Sequence, residues 1–144
     1  MATRTLRQRL FKAPKFETFV EENAEMLTPL SLCDYLAELR RKSGLPIGQI
    51  VLRSDIDRTY LHQILNGTRK PSRDKLIQLA FGFGLNDDGT QELLKVAQMS
   101  LLYPHIVRDA AILRCLHDGK RIDEIQELLS RMSLTSLGRE DKHG

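Results

Sequence analysis

Residues Leu45 to Pro71, LPIGQIVLRSDIDRTYLHQILNGTRKP, leave this chain few ways to fold. Ile47, Ile50 and Val51 recur at helical spacing, stop, and are followed at the same spacing by Leu61, Ile64 and Leu65. Two short amphipathic helices are the expected result. Between them Arg53-Ser54-Asp55-Ile56-Asp57 suits a tight turn. Asp55 tolerates the left-handed conformation, Ile56 can plug a core, and Asp57 can accept hydrogen bonds from the free N–H groups opening the second helix. Asn66-Gly67 is a stop signal.

With Leu61, Ile64 and Leu65 turned inward, the second helix (about Asp57–Leu65) keeps Arg58, Thr59, His62 and Gln63 as its polar positions. Their donors and acceptors suit base edges in a major groove, Arg matching guanine and Gln matching adenine. The loop that follows holds Asn66, Thr68, Arg69 and Lys70 before Pro71 stiffens it. Its position beside the helix suits phosphate contacts.

The segment resembles the DNA-binding domain of the Cro/repressor-like helix-turn-helix (Xre) family. The resemblance rests on Leu39-Arg40-Arg41, Gly44-Leu45, the Ile56 to Ile64 register, and Asn66-Gly67-Thr68-Arg69-Lys70-Pro71-Ser72 leading into Leu76-Ile77-Gln78-Leu79-Ala80. It covers roughly residues 30 to 97. It implies an all-α, five-helix bundle whose second motif helix enters the major groove of double-stranded DNA through Arg58, Thr59, His62 and Gln63. The chain departs from the family at three points. Pro46-Ile47 stands where the family has Thr-Gln, removing one phosphate contact; Asp55 replaces the turn Gly; and Leu65 replaces a Glu.

Charge is distributed in blocks. Residues 1–15 carry net +5, 16–38 net −6, 39–75 net +6 and 76–144 net −2. The positive middle block coincides with the two-helix segment, as phosphate binding requires. Ahead of it, residues 1–29 read as a flexible basic arm (Arg4, Arg7, Arg9, Lys12, Lys15) and a short acidic amphipathic helix, Phe16 to Leu27. Ser31 with Asp34 opens the first helix of a domain over 30–99, in which Ser72 and Asn86 or Asp87 open two more. Gly82 and Gly84 read as helix-end glycines.

Tyr103-Pro104 breaks the pattern and starts a C-terminal helical pair over 100–132. One stripe is Ala110, Leu113 and Leu116; the other is Ile122, Ile125, Leu128, Leu129 and Met132; and Asp118-Gly119 turns between them. The second stripe is longer than its local partner. One short helix reads few base pairs, and a two-fold protein matches a two-fold site. Two covers for the longer stripe are open, packing on the bundle or a homodimer interface through Ile122, Ile125, Leu129 and Met132, and the dimer is the one expected. Residues 133–144 read as a disordered tail.

Other chemistry is sparse. Cys33 and Cys115 sit in apolar helical patterns as reduced thiols; His62, His105, His117 and His143 are scattered, so no metal or cofactor is expected. No catalytic constellation or membrane segment is apparent, and a cytoplasmic, non-enzymatic protein is expected. Two function classes remain: a sequence-specific, homodimeric transcriptional regulator on operator DNA, or a protein-interaction module such as an antitoxin or signalling adaptor, with a protein partner on the C-terminal helices.

Overall fold

The computed structural model describes residues 3–27 and 31–138. The chain divides into two units, Met1–Leu30 and Ser31–Gly144. The first holds α1 (Thr3–Lys12), α2 (Phe16–Glu22) and α3 (Ala24–Leu27). The basic segment expected to be a flexible arm is therefore helical. Its Leu, Arg, Gln and Lys residues are good helix formers, and Arg9 Nη1 donates to Asn23 Oδ1 at 3.2 Å. The single acidic helix expected over Phe16 to Leu27 is broken at Asn23, a buried side chain whose Nδ2 donates to Phe19 O at 2.8 Å.

The second unit runs through α4 (Leu32–Ser43), α5 (Ile47–Ser54), α6 (Arg58–Leu65), α7 (Arg73–Phe83), α8 (Asp87–Val96), α9 (Val107–His117) and α10 (Ile122–Arg131). The described residues contain helices and no strand, an all-α fold. Side-chain caps set the starts: Ser31 accepts from Asp34 N, Ser72 from Lys75 N and Asn86 from Gly89 N. Asp55 takes φ 56° in the turn after α5, and Ile56, 1% exposed, plugs the core beneath it.

The unit is centred on α7, buried on every side from Leu76 to Phe83. Gly82, the last residue but one of this helix, has a packing role as well. A Cβ there would meet Ser54 Cβ at 2.9 Å and Ile50 O at 3.2 Å, so the glycine is what lets α5 lie against α7. Gly84, at φ 71°, is the helix-end glycine.

The C-terminal pair packs on this bundle through Ile112, Cys115 and Leu116 of α9, where Ala110 and Leu113 had been expected to lead, and through Ile122, Ile125 and Leu129 of α10. The residues expected to form a dimer face are thus core. Ile125 and Leu129 are 0% exposed, Ile122 is 8% exposed, and Met132 alone lies outside. Of the row on α10 expected as the dimer face, only Met132 is free to meet a second copy. The tail is corrected too: Leu137 is buried and Gly138 N donates to Asp74 Oδ2 at 3.0 Å, so order continues to Gly138. The rest of the expected tail, 139–144, lies outside the described residues.

The partner of α9–α10 is a copy of itself. Arg73-Asp74 and Arg108-Asp109 stand 35 positions apart, as do Ile77 and Ile112, Gly84 and Gly119, Gln91 and Gln126, Leu94 and Leu129, and Leu102 and Leu137. The bonding repeats with the residues. Gln91 exchanges two hydrogen bonds with the backbone of Leu102, and Gln126 does the same with Leu137. Arg73 donates to Ser100 O and Leu101 O, Arg108 to Thr135 O and Ser136 O. Across the pair, Arg73 reaches Asp109 at 3.1 Å and Arg108 reaches Asp74 at 2.9 Å. Such reciprocity is what a two-fold relation between hairpins α7–α8 and α9–α10 produces.

Candidate nucleic-acid interface

Helix α6 is only eight residues long, so its position depends on its ends. Asp57 caps the start, its Oδ2 accepting from Thr59 N at 3.1 Å and Tyr60 N at 3.3 Å. At the other end Cys33 Sγ donates to Leu65 O at 3.1 Å, tying α6 to α4. Leu61 and Ile64 are buried. Behind the turn, Gln78 Nε2 donates to Ser54 O at 3.1 Å and Asp55 O at 3.3 Å, supplying a buried donor to the carbonyls that end α5.

This leaves Arg58, Thr59 and His62 exposed on one side of α6, with Gln63 half-buried beside them. A Cβ placed on Gly48 would lie 3.5 Å from Arg58 Nη2, so the Arg58 guanidinium rests against the first turn of α5. The loop after α6 is folded back on the helix. Thr68 N and Arg69 N both donate to Gln63 O, at 3.0 and 3.1 Å. Asn66 Oδ1 accepts from Thr68 N at 3.0 Å and from Thr68 Oγ1 at 2.6 Å. Asn66 and Thr68 therefore shape the loop, whereas Lys70 is exposed.

Arg69 is the loop residue most engaged with the helix. Its guanidinium stacks 3.9 Å above the Tyr60 ring, with Lys75 Nζ 5.4 Å from the same ring, and its Nη1 donates to Gln63 Oε1 at 3.4 Å. One expected phosphate binder is thus held beside an expected base reader. A planar cation anchored on an aromatic face loses less freedom on binding than a free one.

Residues 35–98 match the family model of a helix-turn-helix domain. The match runs through α4 to α8. No curated protein and no solved structure matches the chain. The α9–α10 hairpin lies beyond the matched helix-turn-helix residues, although its skeleton repeats α7–α8.

Three features escaped the sequence reading. Tyr60 had no assigned part, though an aromatic three residues before Gln63 and nine before Arg69 could have suggested a stack. Gln78 lies in the Leu76–Ala80 run, where nothing in the spacing points to its bonds with Ser54 and Asp55. The repeated Arg-Asp dipeptide was the most legible of the three, being visible on aligning the chain with itself. No helix among the described residues is long and apolar enough to cross a membrane. No group of three or more His, Cys, Asp or Glu among them could hold a metal ion.

Proposed function

We propose that the protein is a sequence-specific transcriptional regulator of the Cro/repressor-like kind, acting as a homodimer on double-stranded operator DNA with α6 in the major groove. The observation that carries this reading is the union, on a segment matching a helix-turn-helix domain, of exposed Arg58, Thr59 and His62 with the Gln63–Arg69–Tyr60 cluster beside them. Arg58 reads guanine, Gln63 reads adenine, and Lys70 and Arg69 neutralise phosphates, with Asn66 and Thr68 holding the loop in place. The dimer forms through the exposed Phe16, Val20 and Leu27 of the first unit, since the row on α10 is occupied. A cytoplasmic location goes with this role.

Selection of bound duplexes from a random DNA library tests the reading. A palindromic consensus supports it, and no enrichment overturns it. Gln63→Ala should cost about 1–3 kcal/mol of discrimination at one base pair. Replacing Arg69 and Lys70 together should flatten the slope of log affinity against log salt by about 0.9 for each lost contact.

A further inference from the structure

We infer that the cleft between α5 and the turn joining α9 to α10 binds a small amphiphilic anion, an apolar body carrying one carboxylate or similar group. The cleft encloses about 550 Å³, inside the roughly 300–1,000 Å³ range of small-molecule sites. Its apolar wall is Phe81, Leu85, Leu116 and Ile122, continued at the mouth by Leu52, a leucine left 72% exposed. Arg53, Lys120 and Arg121 bring positive charge to the same walls, with Asp123 the acid among the lining residues. Lys120 and Arg121 have carboxylate neighbours in Glu124 and Asp123. Arg53 has no ion-pair partner among the described residues, and its Nη1 lies 3.8 Å from where a Gly84 Cβ would be.

The repeat supplies an independent reason. The cleft is lined by the two equivalent inter-helix turns, Gly84-Leu85-Asn86 and Gly119-Lys120-Arg121, so their differences can be compared position by position. Where the first turn has Leu85, the second has Lys120. Where the first has Asn86, whose side chain caps α8, the second has Arg121, and the start of α10 is closed instead by Glu124, whose Oε1 accepts from Arg121 N at 3.0 Å. Two positions of one skeleton that are Leu and Asn in the first turn are Lys and Arg in the second, and that change of charge falls on the cleft wall. The second turn thereby brings cations to a cleft that the first turn lines with Leu85.

The probe is 8-anilinonaphthalene-1-sulfonate, an aromatic anion that brightens when its rings leave water, titrated into the full chain without DNA and displaced by octanoate or by neutral octanol. The expected result is one saturable site from which octanoate displaces the dye at least about tenfold better than octanol, the factor one charge-assisted contact supplies. Arg53→Gln should abolish that preference, and Leu52→Trp should fill the mouth and remove dye binding. Both positions are exposed, and circular dichroism verifies the fold of each variant. Unsaturable dye binding, equal displacement by octanol, or an unaltered preference in Arg53→Gln would each overturn the site. Because Leu52 and Arg53 lie on α5, a ligand here would shift DNA affinity, a consequence that rests on the regulator reading and on reciprocal coupling. A chain that binds the dye and no DNA would remove that reading and leave the cleft standing.

Discussion

Hairpins α7–α8 and α9–α10 share one skeleton and live in different surroundings. In the first, α7 is enclosed, with Gly82 pressed against α5; in the second, the equivalent position is His117, whose side chain is 70% exposed. The matched helix-turn-helix residues include the first hairpin and stop before the second. The extension is thus best understood as a second copy of the hairpin that closes the domain, joined to the first by two reciprocal arginine–aspartate pairs. An apolar row that looked in need of a second chain is covered within this one, in the core cluster it shares with α9.

The largest effects are expected where the copies are joined. Asp74 and Asp109 are 6% and 4% exposed, each held by an arginine of the other hairpin and by a backbone N–H. Removing either carboxylate leaves a half-buried guanidinium without its counter-charge and a backbone N–H without its acceptor, at about 2–4 kcal/mol, below the full cost of breaking a buried pair. Urea denaturation of Asp74→Ala and Asp109→Ala should therefore give similar losses. A loss confined to one of them would break the equivalence.

The next test separates an internal partner from an external one. Ile125→Ala should cost about 2–5 kcal/mol as a core deletion, and Met132→Ala should stay within about 0.5 kcal/mol. The Ile125 loss should not change with protein concentration, because the packing is within one chain. A loss that grows on dilution would return the row to a subunit interface.

The contrast in surroundings is probed at Gly82 and His117. Adding one methyl at Gly82 meets Ser54 Cβ and the Ile50 carbonyl, and Gly82→Ala should destabilise by about 1–3 kcal/mol in thermal unfolding. His117→Ala, which removes an exposed contact to Asp87 at 3.2 Å, should change stability by less than about 0.5 kcal/mol. Equal effects would mean that both hairpins are equally confined.

How much could be read beforehand follows from the range of the forces involved. The turn at Asp55, the caps at Ser31, Asp57, Ser72 and Asn86, and the inward Leu61 and Ile64 depend on neighbours a few residues away, so periodicity and cap chemistry located them. The polar positions of α6 follow from the same register. The stack of Arg69 on Tyr60 and its bond to Gln63 need the exit loop to fold back, which no spacing states. The burial of Ile125 and Leu129 was misassigned for a related reason. Amphipathicity shows that a face must be covered and is silent about what covers it. The repeat would have answered that question. It was hidden because the identical residues are few and the intervening ones serve different surroundings.

The smallest expected effect concerns one pair of those substituted positions. Leu79 and Phe83 of α7, both buried, correspond 35 positions on to Arg114 and Asp118, one turn apart at the exposed end of α9. Where the first hairpin is enclosed the i, i+4 pair is apolar; where water covers the second it is an ion pair, Arg114 Nε to Asp118 Oδ2 at 2.6 Å. The Arg114 hydrogen bond holds the Asp118 carboxyl below the ordinary aspartate range, with smaller contributions from His117 and Lys120. A carboxylate with a depressed folded-state pKa contributes its stability fully above the ordinary aspartate range and loses it as pH falls through the depressed value. The pair is solvent-exposed, so screening keeps that contribution small. Arg114→Ala should leave the melting temperature at neutral pH nearly unchanged while the Asp118 carboxyl, followed by NMR titration, moves up towards the ordinary range. A titration that does not move would show that the pair does not form in solution, and that the exposed side of the second hairpin has lost the apolar contact of the first without replacing it.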